Sequence, residues 1–79
     1  MEIAYYAGAA DAAGTDREQL DTSDTTAGQL VLLLGARHDR LAGVLKSCSF
    51  LVDGTPVKDP QTWISARSRV DVLPPFAGG

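Results

Sequence analysis

The segment TTAGQLVLLLGAR, Thr25 to Arg37, limits the fold more than any other stretch of this sequence. Leu30, Leu33 and Leu34 recur at i, i+3 and i+4, which places them on one stripe of a helix. Thr26 and Gln29 form a T-x-x-Q capping box, in which each side chain satisfies an orphan amide at the helix start. Gly35 is placed to supply a left-handed stop, and Arg37 lies near the negative end of the helix dipole. The spacing of Leu41, Val44 and Leu45 in DRLAGVLKS predicts a second, shorter helix. One principal amphipathic helix cannot enclose a core by itself; it must lie across a sheet.

The flanking segments supply that sheet. MEIAYYA alternates, with Met1, Ile3 and Tyr5 on one face and Glu2, Ala4 and Tyr6 on the other. GAADAAGTD is small and punctuated by glycine, and reads as a loop or one helical turn; REQLDTS follows as a short polar strand. CSFLVDGTPVKD reads as a hairpin, because both central residues of a type I′ turn need positive φ and Asp53-Gly54 suits that turn. Pro56 assigns the returning strand to a sheet edge. PQTWISARS reads as an irregular turn with Trp63 tucked against the body. RVDVL alternates again, and Pro74-Pro75 ends its ladder because neither residue carries an amide hydrogen. The order predicts an α+β domain: a mixed sheet of four to five strands over residues 1–73, with one main helix across it and residues 74–79 as a flexible tail.

With 79 residues there is room for one domain, close to the size below which metals or disulfides become necessary. Cys48 is the only cysteine, so no intramolecular bridge can form. A net charge of −3 argues against nucleic-acid binding, which needs a basic footprint. No apolar run approaches the ~18 residues of a membrane span, and the acidic second residue, Glu2, is unlike a signal peptide. The expectation is a cytoplasmic protein that binds neither membrane nor nucleic acid.

Conventional catalytic groups are sparse. His38, the only histidine, stands among charged residues in RHDR and reads as a solvated surface side chain. Cys48 reads as a structural thiol at the start of a core strand. No CxxC or HExxH spacing occurs, and the scattered glycines match no phosphate-loop fingerprint. A self-sufficient active site is not expected.

The tail is different. Six residues, Pro74 to Gly79, reach about 20 Å when extended. The two prolines bias its first part toward an extended path and lower the entropy lost on insertion into a channel. Phe76 offers an apolar plug, Ala77 is small, and Gly78 and Gly79 can thread a narrow passage. Gly79 ends the sequence in an unobstructed carboxylate.

VDVLPPFAGG resembles the strand-Pro-Pro-x-x-Gly-Gly ending of the MoaD family, the small sulfur-carrying subunits of molybdopterin synthase. IAYYAGAADAAGTD is similar to the family's first strand and turn, TTAGQLVLLLGAR to its main helix, and FLVDGTPVKD to its third-strand hairpin. Ala10 and Asp11 stand where the family often has arginine and glutamate, Val52 where it commonly has asparagine, and SARSR where it has an acidic-glycine turn. The resemblance implies a ubiquitin-like β-grasp fold. It implies that an E1-like, MoeB-like enzyme uses ATP to adenylate Gly79, and that a sulfur donor then leaves a thiocarboxylate there. It further implies insertion of Pro74, Pro75, Phe76, Ala77 and Gly78 into a MoaE-like large subunit, within a heterotetramer, with Tyr6 and Leu73 at the interface. This chain itself would bind no cofactor. Sulfur carriers for thiamine, cysteine or thiolated-RNA synthesis share the Gly-Gly logic, as do ubiquitin-like modifiers joined to lysines; a plain interaction domain would make no use of the tail.

Overall fold

The computed structural model describes residues 1–75. Three longer strands form its centre: β1 (Glu2–Tyr5), β7 (Arg69–Leu73) and β4 (Ser49–Val52). Two short strands, β2 (Arg17–Gln19) and β5 (Thr55–Val57), complete a five-stranded sheet in the order β2-β1-β7-β4-β5. β1 and β7 pair in parallel, with Ile3 opposite Val70 and Tyr5 opposite Val72; the other pairings are antiparallel. Strands from opposite ends of the described chain therefore form the middle of the sheet.

Strand parity sorts the side chains. Ile3, Tyr5, Val70 and Val72 are buried on one face, with Phe50 and Val52 packed beside them. The helices cover that face. α2 (Ala27–Arg37) contributes Leu30 and Leu34, and α3 (Asp39–Leu45) contributes Leu41 and Leu45. Leu33, expected on the buried stripe, is 40% exposed, and Leu32 is 73% exposed. The stripe is narrower than the spacing suggests because Leu30 and Leu34, one turn apart, carry the packing.

The start of α2 is capped by more than its own sequence. The Thr26 hydroxyl accepts from the Gln29 amide, as the capping box requires. The Gln29 side chain does not reach back to an amide; its Oε1 accepts from the Thr25 hydroxyl. The Ala27 and Gly28 amides instead donate to the carbonyls of Thr62 and Pro60. Gly28 sits so close that a Cβ there would lie 3.3 Å from Pro60, which explains glycine at a helix start. Gly35 does not end the helix. It lies inside α2 where a Cβ would come 3.3 Å from the Ala42 methyl, so its role is close packing against α3.

Two segments differ from expectation. Ala7–Ala13 forms a two-turn helix, α1, longer than the loop or single helical turn expected, and ends at Gly14 in the left-handed region (φ 75°). Ala9 and Ala13 are buried, so this helix enters the core through methyl groups alone. Trp63 is not tucked in. Trp63–Ile64 forms β6, paired with β3 (Thr25–Thr26) in a separate two-stranded sheet, with Ile64 buried and Trp63 71% exposed. The alternation that buries Ile64 necessarily turns Trp63 outward.

The hairpin is as expected: Asp53 (φ 50°) and Gly54 (φ 84°) form its turn, and β5 is an edge strand. Val52 and Thr55 flank the turn as the bonded pair, so the next pair, Leu51–Pro56, directs its backbone groups away from each other. The nitrogen at the outer rim is thus that of Pro56, which has no hydrogen to donate. At the opposite edge, the Thr15 hydroxyl both donates to the Arg17 carbonyl and accepts from the Arg17 amide. Among the described residues no helix is long and apolar enough to cross a membrane.

Replacing the fully buried Leu34 with alanine is expected to cost about 2–5 kcal/mol in urea denaturation. Leu32→Ala, on the exposed side of the same helix, should change stability by less than about 0.5 kcal/mol.

Candidate functional site at the end of β7

β7 lies between β1 and β4; its pairing with β1 runs to Val72 and that with β4 to its last residue, Leu73. Leu73 pairs with Ser49 and is half-buried; Pro74 is half-buried and Pro75 lies in an exposed turn. The Tyr6 amide donates to the Val72 carbonyl at 3.2 Å, which carries the β1–β7 pairing one residue past the strand and sets Tyr6 beside Leu73. Tyr6 and Leu73 are therefore brought together with Pro74. Phe76, Ala77, Gly78 and Gly79 lie outside the described residues.

The sheet face away from the helices holds a polar network that the alternation of RVDVL could have revealed, since Arg69, Asp71 and Leu73 share one parity. The Tyr6 hydroxyl donates to Asp71 Oδ1 at 3.1 Å, Arg69 Nε donates to the same oxygen at 3.2 Å, and Arg69 Nη2 donates to the Tyr6 oxygen at 3.3 Å. Ala4 lies beneath, 3% exposed, in register between Arg17 and Asp71. The face also presents Leu51 and Leu73, both half-buried, and the exposed Pro56.

A second network lies on the helix side. Glu18 Oε2 accepts from the Tyr5 hydroxyl at 2.8 Å and contacts His38 Nε2 at 2.6 Å, while Arg37 Nε donates to Oε1 at 2.7 Å. His38 is thus a half-buried residue that joins the α2–α3 junction to β2, and its ring meets Tyr5 edge-on. It is not the solvated side chain its charged neighbours suggest; sequence proximity to RHDR conceals a partner 20 residues away. Burial alone would raise the Glu18 pKa, but hydrogen bonds from His38, Tyr5 and Arg37 hold it below the ordinary 4.5. Burial and the Glu18 bond push the Tyr5 hydroxyl far above its ordinary range, so it remains a donor.

Cys48 precedes β4 and is half-buried, its thiol donating to the Val44 carbonyl at 3.2 Å. Burial raises its pKa, which disfavours the nucleophilic thiolate. Among the described residues no group of three His, Cys, Asp or Glu side chains is placed to hold a metal ion.

Residues 3–79 match the ThiS family, nearly the whole sequence and through its final glycine. The chain belongs to the ThiS family. No curated protein matches it by sequence. Among solved structures, this ThiS-family chain is similar to SAMP1 from Haloferax volcanii, with a TM-score of 0.82 and 24% identity over 100% of this chain and 98% of that one. It is similar to a Pyrococcus furiosus protein carrying the name molybdopterin converting factor, subunit 1, with a TM-score of 0.83 and 19% identity over 95% of each chain. It is also similar to small archaeal modifier protein 1 from Methanosarcina acetivorans, with a TM-score of 0.79 and 20% identity over 99% of this chain and 94% of that one. At these identities the likeness is one of fold, and that fold is the ubiquitin-like β-grasp expected from the sequence.

The lowered Glu18 pKa links the fold to pH. The unfolded carboxyl takes up its proton near 4.5 and the folded one only at lower pH. The stabilisation from Glu18 is therefore complete above about 4.5 and is lost as pH falls through the folded value. Thermal melts from pH 7 down to pH 3 should show this loss, and Glu18→Gln should give a shallower decline from a lower starting point.

Proposed function

We infer that this protein is the sulfur-carrying small subunit of a molybdopterin synthase. The family match running through Gly79 supports a sulfur carrier, and the resemblance of the Pro74-Pro75-Phe76 segment to the MoaD ending is what favours molybdopterin among the carriers. A strand held on both edges fixes the point from which the final residues depart, so the last atom can be delivered at high effective concentration.

The chemistry compensates for a weak acyl donor. A carboxylate has no good leaving group. On the activating enzyme, a Gly79 carboxylate oxygen attacks the α-phosphorus of ATP and pyrophosphate departs, leaving an acyl adenylate. Hydrosulfide, or its equivalent released by a sulfur donor, then attacks the carbonyl carbon and AMP leaves, so that Gly79 carries a thiocarboxylate. Within the large subunit each thiocarboxylate gives up its one sulfur to the pterin precursor and returns to a carboxylate, so two loaded carriers complete the two-sulfur dithiolene. The catalytic side chains belong to the partners. Gly79 carries the sulfur, Gly78 gives clearance, Pro74, Pro75, Phe76 and Ala77 guide insertion, and Tyr6 and Leu73 meet the partner where the tail departs.

The likeness to two small archaeal modifier proteins supports a second reading, in which Gly79 is joined to lysines of other proteins. The two outcomes leave different products. Co-expression with the E1-like enzymes of the source organism, followed by fragment-ion mass spectrometry, should place one oxygen-for-sulfur exchange on Gly79, away from Met1 and Cys48. Isopeptide-linked remnants of Gly79 on lysines without that exchange would favour the modifier, and an unaltered carboxylate would overturn both. Deleting Gly78 and Gly79 should abolish the modification without lowering the melting temperature.

A further inference from the structure

Among the described residues, the sheet face away from the helices holds a cation tethered at two points. Arg69 is long and would ordinarily sample many rotamers, but its Nε is tied to Asp71 and its Nη2 to the Tyr6 hydroxyl. The side chain is 42% exposed, whereas the Asp71 carboxylate beneath it is 17% exposed. What faces outward is therefore guanidinium rather than carboxylate. A guanidinium has five N–H bonds. Two are used here, and none of the described residues accepts from the other three.

This arrangement suits recognition. The entropy of ordering an arginine is lost on folding rather than on binding, because internal partners already hold it. The unspent donors present the planar fork that a carboxylate accepts bidentately. The position suits it too. Arg69 opens the strand whose other end leads to Pro74, and its second tether, Tyr6, stands beside Leu73. A body in the correct register on a partner would thus set both the cation and the departing tail.

Resting on the sulfur-carrier reading, we propose that Arg69 is a specificity-determining residue: it selects partner enzymes that present an aspartate or glutamate to the uncovered sheet face. Asp71 and Tyr6 are positioning residues that hold the guanidinium for that contact. The partner's acidic group supplies an acceptor that the described residues do not give to the outward edge of Arg69.

The test is steady-state thiocarboxylate formation on the full-length protein by the E1-like enzyme that modifies it, with carrier concentration varied. Arg69→Glu should raise KM for the carrier at least about tenfold and leave kcat unchanged. Arg69→Lys should fall between, since a lysine keeps the charge and loses the fork. The wild-type KM should rise with ionic strength, and that of Arg69→Gln should not. Tyr6→Phe and Asp71→Asn should raise KM more weakly than Arg69→Glu.

An unchanged KM in Arg69→Glu and Arg69→Gln, with the wild type still modified, overturns the proposal and leaves the carrier reading intact. A fall in kcat and melting temperature with KM unmoved assigns Arg69 a structural role and also overturns it. If no E1-like enzyme modifies the wild type, the carrier reading fails and this proposal fails with it.

Discussion

The parallel contact between β1 and β7 governs the rest of the molecule. Parallel neighbours cannot be joined by a tight turn. The chain between Tyr5 and Arg69 must therefore cross over, adding β2, β4 and β5 to the sheet and laying its helices over one face before it returns. The hydrogen bonds of that contact place Ile3 against Val70 and Tyr5 against Val72, so one register sets the apolar floor on which α2 and α3 rest. The same register puts Tyr6 beside the end of β7. Core and candidate site are two consequences of one strand pairing.

Much of this was legible in the sequence, for reasons that can be named. Large apolar side chains at strand or helix spacing announce themselves: Ile3 and Tyr5, Leu30 and Leu34, Leu41 and Leu45, Val70 and Val72. The Asp53-Gly54 turn follows from a backbone requirement that few residue pairs satisfy. The helix Ala7–Ala13 escaped because its buried face consists of the Ala9 and Ala13 methyls, too small to create an apolar contrast. β6 escaped because two residues do not make a period, and its strand character comes from Thr25 and Thr26, distant in sequence. For the candidate site, the departure point at Leu73 and Pro74 could be read directly, whereas Arg69 and Asp71 could be placed on its face only by taking strand parity past the hydrophobic residues. Glu18 was hidden in a polar segment whose importance depends on residues from two other elements.

The two sheet faces divide their polar chemistry. On the helix side, Glu18 gathers Tyr5, Arg37 and His38 around one carboxylate and ties a short edge strand to the α2–α3 junction. On the uncovered side, Asp71 gathers Tyr6 and Arg69 but leaves the cation outward. Both acidic residues serve as acceptors that organise longer side chains. One network closes the fold, and the other leaves hydrogen-bonding capacity at the surface.

Pro56 and Thr15 carry a consequence for molecular sociability. Open sheets invite foreign strands, because each rim is a row of unsatisfied amides and carbonyls. Here an incoming strand would find no hydrogen on the Pro56 nitrogen at one rim, and at the other it would find Arg17's backbone already engaged by a hydroxyl. Zipper-like growth from molecule to molecule is discouraged at both ends of the sheet. Encounters are thereby steered toward side-chain complementarity, in which identity can be discriminated, and away from backbone pairing, in which almost any extended peptide would serve.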